Sequence, residues 1–247
     1  MSVSLEICID SIHSAIEAQK GGAVRVELCD NLFEGGTTPS AGCIQLVRQN
    51  IDIDLNVIIR PRGGDFLYSS LEYEMMKQDI QLAKQLGVNG VVIGLLNSDG
   101  TIDRKRTAEL IKLARPMTVT FHRAFDVAKD PFEAMEQLID LGVDRILTSG
   151  QENTALEGID LITDLVKKAG DRIIIMPGGE INVRNIKKIV NRTKAKECHL
   201  SAREPVASKM EFRRPYVSMG GTLSFPEYEN RFTSSALVQA MNGAINK

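Results

Sequence analysis

The chain has 247 residues, 43 % of them hydrophobic and 25 % charged, with 30 Lys and Arg against 32 Asp and Glu for a formal charge of −2. Such a composition excludes disordered, collagenous and fibrous classes, and the balanced charge argues against a nucleic-acid-binding protein. No run approaches the ~18 apolar residues of a membrane helix, and the opening MSVSLEICIDSIHSA lacks the basic-then-apolar order of an export signal.

Four cysteines, Cys8, Cys29, Cys43 and Cys198, show no C-x-x-C pair or zinc-finger spacing, so reduced thiols in a cytoplasmic protein are expected. In chain order, short β-branched runs predict strands at Val3–Ile9, Val24–Cys29, Leu55–Arg60, Gly90–Leu95, Thr118–His122, Arg145–Thr148, Arg172–Met176 and Glu197–Ser201. Amphipathic stretches lie between them. Ser11–Lys20 ends at Gly21-Gly22, Tyr73–Leu86 at Gly87 and Phe132–Leu141 at Gly142, each a helix with a glycine stop. Eight strand–helix units with right-handed crossovers predict an α/β fold, a single-domain (β/α)8 barrel over residues 1–247. An irregular stretch at about 203–228 precedes a predicted final helix, Glu229–Asn246. A connection of that length is expected to fold over the barrel mouth with Arg213 and Arg214 facing it, or to cover barrel wall.

Side chains alternate along a strand. With Leu5, Ile7, Ile9, Val24, Val26 and Leu28 facing the helices, Glu6, Cys8, Arg25, Glu27 and Cys29 face the barrel axis. The same parity turns Arg60, Thr118, Thr120, His122, His199 and Ser201 inward. Barrel interiors are normally filled with branched apolar residues, so these charges predict a network of ion pairs joining Glu6, Glu27, Arg25 and Arg60. Glu27, His122 and Arg60 are the candidate catalytic residues: carboxylate and imidazole for proton transfer, guanidinium for charge. Arg60, Arg62 and Arg123 are candidate anion binders, as are Gly178, Gly179 and Ser201 in the loops after strands seven and eight, where barrel enzymes commonly hold phosphate. Cys8 and Cys29, on neighbouring strands, and His199 beside them form a candidate metal set for a soft ion. The plain alternative for the cysteines is that of small buried hydrophobes.

Several stretches carry a family resemblance: Leu5-Glu-Ile-Cys8, Gly22-Ala-Val-Arg-Val-Glu-Leu-Cys29, Glu34-Gly-Gly-Thr-Thr-Pro-Ser40, Ile59-Arg-Pro-Arg-Gly-Gly-Asp-Phe66, Val119-Thr-Phe-His-Arg-Ala-Phe-Asp126, Leu147-Thr-Ser-Gly150, Met176-Pro-Gly-Gly179 and His199-Leu-Ser-Ala202. Together they make the chain resemble the CutC copper homeostasis family from end to end. The resemblance implies a (β/α)8 barrel, a cytoplasmic setting, a homodimer or higher homo-oligomer, and Cu(I) held by Cys8 and Cys29. Glu180 stands where a third glycine is common, and Arg214 where asparagine is usual. Two expectations follow: a copper-handling protein, or alternatively a barrel enzyme of aldolase or isomerase type acting on a small anionic metabolite. Neither nucleic acid nor membrane is an expected partner.

Overall fold

The computed structural model describes residues 3–219 and 226–246. Eight parallel strands, β1 (Ser4–Ile9), β2 (Arg25–Leu28), β3 (Asp54–Ile58), β4 (Gly90–Ile93), β5 (Thr118–Phe121), β6 (Arg145–Thr148), β7 (Ile174–Pro177) and β8 (Glu197–Leu200), pair in the order β7-β6-β5-β4-β3-β2-β1-β8. β7 and β8 pack side by side, so the sheet curls into a nearly closed barrel. Around it run α1 (Ile12–Lys20), α2 (Ala41–Asn50), α3 (Ser70–Gln85), α4 (Arg104–Ala114), α5 (Pro131–Asp140), α6 (Ile159–Ala169), α7 (Ile186–Thr193) and α8 (Ser235–Ile245). This is the expected (β/α)8 barrel.

Local chemistry sets the helix starts. Ser11 accepts from the Ser14 N–H at the head of α1, and Ser69 and Glu72 form a reciprocal capping box on α3. At α5, Asp130 accepts from the Phe132 and Glu133 N–H groups and Pro131 opens the first turn. The core lies between barrel and helices: Leu5, Ile7 and Ile9 meet buried faces such as Ala15 and Ala18 of α1. Each fully buried side chain of this kind contributes about 1.5–3 kcal/mol of transfer free energy.

The C-terminal region differs from expectation in two ways. The stretch after β8 opens with a strand, β9 (Arg203–Ala207), and the predicted final helix begins with another, β10 (Glu229–Thr233); the two pair antiparallel. Strand pairing across an intervening excursion leaves no local periodic mark, which is why Glu229–Thr233 read as helix. Helix α8 starts only after Ser234, whose hydroxyl accepts from the Leu237 N–H. Arg213 and Arg214 do not face the mouth. They lie exposed, Arg213 over the Tyr228 ring and Arg214 over Phe212 and Tyr216. Positions 220–225 of the expected lid lie outside the described residues. Among the described residues, no helix is long and apolar enough to cross a membrane.

Candidate functional site

Inside the barrel, two polar layers lie one above the other. In the deeper one, Arg25 on β2 donates to Glu6 on β1 and to Glu197 on β8, and Arg145 on β6 donates to Glu197 at 2.9 Å. Asn56 on β3 donates its side-chain N–H to Glu6 Oε2 at 3.2 Å. Two guanidiniums therefore face two carboxylates inside the barrel. Glu197, Arg145 and Asn56 were missed by the sequence reading, although strand parity contained the signal: Glu197 is two residues before His199, and Asn56 is four before Arg60.

The upper layer opens to solvent. His199 Nδ1 donates to Glu6 Oε1 at 2.8 Å, which leaves Nε2 facing Glu27 Oε2 at 3.6 Å. One ligand atom each from Cys8, Glu27 and His199 lie within 4.8 Å of one another. Cys29 Sγ is 3.8 Å from Cys8 Sγ. The adjacency of β8, β1 and β2 produces this convergence, with Cys8 opposite Glu27 in the register.

The electrostatics follow from burial and partners. Burial alone would raise the Glu6 carboxyl, but the Arg25 charge and the His199 bond hold it down at about 2. Burial pulls His199 toward neutrality, yet its bonds to Cys8 and Glu6 and the Glu27 charge carry it well above the usual imidazole range. The bond from Cys29 lowers the Cys8 thiol to about 5 against the effect of burial, with His199 assisting. The same bond, with burial, raises Cys29 well above an ordinary thiol. Burial pushes Glu27 up to about 8 despite His199. These directions favour a thiolate on Cys8 beside an imidazolium on His199, backed by the Glu6 carboxylate, with the protonated forms of Glu27 and Cys29 next to them.

The remaining expected residues separate. Arg60 does not join the carboxylates: its Nη1 donates to the carbonyls of Glu34 and Gly36 at 2.6 and 2.7 Å, and its Nη2 to that of Gly64 at 3.1 Å. His122 lies beside it, its ring 5.0 Å from that of Phe66, and burial followed by the Arg60 charge lowers it to about 3. His122 fits only because position 94 is glycine, where a Cβ would stand 2.3 Å from its Cε1. Arg62 lies outside the mouth, paired with Glu72 and Asp65. Arg123 is at the rim, bound to Asp126, Ser149 and the Glu152 carbonyl. Gly179 and Ser201 line the mouth, whereas Gly178 makes room for Leu147 and His199. The cavity bounded by Cys8, Glu27, Arg60, His122, Arg123 and His199 has a volume of about 760 Å³.

The fold and this centre define a class: a (β/α)8 barrel carrying a thiol–imidazole–carboxylate cluster at the C-terminal mouth of its strands. The chain belongs to the CutC family, whose profile matches residues 3–204. It is 50 % identical to the human copper homeostasis protein cutC homolog over 96 % of this chain and 87 % of that one. Against a CutC family protein of Parabacteroides distasonis the identity is 54 %, covering 96 % and 98 %. The crystal structure of the putative copper homeostasis protein CutC from Streptococcus agalactiae superposes with a TM-score of 0.77 at 37 % identity, covering 81 % of this chain and 98 % of that one.

Proposed function

We propose that this chain serves copper homeostasis by holding Cu(I) at the barrel mouth, with Cys8 and Cys29 as thiolate ligands and His199 Nε2 as the nitrogen ligand. The reading is carried by two thiols 3.8 Å apart, one of which, Cys8, gathers within 4.8 Å of Glu27 and of an imidazole whose other nitrogen is fixed by a carboxylate. The donor set suits a soft ion, because thiolate and imidazole favour Cu(I) over hard cations. Glu6 gripping Nδ1 is the arrangement that orients metal-binding histidines and raises their basicity. Binding must displace the proton on Nε2 and the one on Cys29, so affinity rises with pH. The copper-related names of the relatives agree with this reading.

The test is titration of reduced protein with Cu(I) against a competing chelator. One ion per chain, with affinity reduced at least a hundredfold in Cys8→Ser/Cys29→Ser, is the expected result. Unchanged affinity in the double variant would sink the proposal.

A further inference from the structure

The mouth cavity is far larger than a single ion requires, and about 760 Å³ falls in the range of pockets that enclose small organic ligands. One wall is built around an unbalanced charge. Arg60 is only 6 % exposed, yet among the described residues no carboxylate forms an ion pair with it. Three backbone carbonyls, the face of Phe66, 5.3 Å from its guanidinium carbon, and the Tyr68 side chain surround it. Its Nε–H has no hydrogen-bond partner among the described residues. In the layer below, by contrast, Arg25 and Arg145 both have carboxylates. A buried charge held by dipoles alone is costly.

His122, whose ring lies 5.0 Å from that of Phe66, accepts the Ala124 N–H on Nδ1 at 3.1 Å. The neutral ring therefore carries its proton on Nε2, and that buried donor has no partner either. Glu27, in the same cavity lining, has an unpartnered Oε1. A cation with an unmatched N–H of its own, and a second unmatched donor near it, call for an oxygen-bearing anion.

We propose that the cavity binds a small organic oxyanion, a carboxylate or phosphate ester on a hydroxylated frame, with Arg60 reading its charge and His122 Nε2–H donating to one of its oxygens. The ligand sits beside the thiol pair and is independent of it, so this inference does not rest on the copper reading. His122 acts here as a neutral donor and not as a base.

The experiment is calorimetric titration of metal-free protein with inorganic phosphate, glycolate, glycerol 3-phosphate and ribose 5-phosphate, with glycerol and ribose as uncharged controls. Saturable binding of glycolate or of a phosphate ester with Kd below ~1 mM, the upper end of ordinary metabolite affinities, is expected, with the uncharged compounds silent. The glycolate and ester arms decide which anionic group is preferred. Arg60→Gln and His122→Leu should each weaken binding at least tenfold, while His122→Gln, which keeps a side-chain N–H, retains more than His122→Leu. Arg62→Ala, whose side chain pairs with Glu72 and Asp65 outside the mouth, should bind as the wild type does. Arg60→Gln also loosens the turn it ties, so His122→Leu decides if that variant does not fold. The inference fails if none of the four anions saturates, or if His122→Leu, folded by thermal melt, binds as tightly as the wild type.

Discussion

In the deeper barrel layer Glu6 and Glu197 face Arg25 and Arg145, and each guanidinium has its carboxylate. Two residues further along the same strands stand Cys8, Glu27 and His199, and here unlike groups crowd together, with Glu27 Oε1 unpartnered among the described residues. The strands and the fold are the same, but the outcomes differ. The deeper layer compensates its charges and so specifies structure, although Arg145 Nη1 and Asn56 Oδ1 have no hydrogen-bond partner among the described residues. The mouth leaves donors, thiols and protons unsettled, and a ligand or ion finds its opportunity there.

The largest break in this comparison comes from the deeper layer. Arg25→Met leaves Glu6 and Glu197 buried against each other's charge, with only Arg145 and His199 to answer them. Removing one partner from a buried network costs about 3–5 kcal/mol, so urea unfolding should show a loss of that size. Cys8→Ser, at the mouth, should leave the urea midpoint nearly unchanged while weakening Cu(I) binding. Equal losses from both variants would erase the distinction between the layers.

Glu6 joins the two layers, since one oxygen faces Arg25 and the other His199. Glu6→Gln should therefore act at both levels. It removes a charge that answers Arg25, and it loosens the ring that presents Nε2. Loss of such an orienting partner lowers metal affinity roughly 10–100-fold, and the competition assay on the folded fraction reads this directly. Retained affinity would show that His199 is held by its packing alone.

The layers should also respond to pH with opposite sign. Glu6 is held at about 2, below its unfolded value near 4.5, so its contribution is complete above the unfolded value and is lost as pH falls through about 2. Glu27 is raised to about 8, so the fold favours its protonated form. That contribution is complete below the unfolded value and is lost as pH rises through about 8. Glu27→Gln mimics the protonated acid. Relative to wild type, its stability should improve steadily across the window between those two values and level off above it, by no more than about 1.4 kcal/mol per pH unit. Urea unfolding of metal-free protein across the window checks this. A difference independent of pH would show that Glu27 is ionised in the fold.

Much of this arrangement was legible because side-chain alternation is a rule of geometry. Parity placed Glu6, Cys8, Arg25, Glu27, His122 and His199 inward, and the number of strand–helix units implied a barrel. Choice of partner was not legible, because it depends on which loop carbonyls lie within reach. The sequence puts Arg60 in one ion-pair network with Glu6, Arg25 and Glu27, yet Arg60 is captured by the carbonyls of Glu34, Gly36 and Gly64. Gly94 carried no mark of the ring it accommodates. The β9–β10 pairing joins segments separated by an excursion and has no periodic trace.

Arg62 gives the smallest expected effect. In the sequence it stands beside Arg60 in an Arg-Pro-Arg run and looks equally suited to an anion. The two differ in where the turn sends them. Arg60 goes under the loop, while Arg62 reaches outward to Glu72 at 2.6 Å and Asp65 at 3.0 Å with 38 % of its side chain exposed. Exposed pairs of this kind contribute about 0–1 kcal/mol. Arg62→Ala should therefore shift the urea midpoint slightly and leave both Cu(I) and oxyanion titrations unchanged. If it instead weakened the oxyanion as much as His122→Leu does, Arg62 would swing into the mouth on binding, and the division between a buried reader and an outer staple would have to be redrawn.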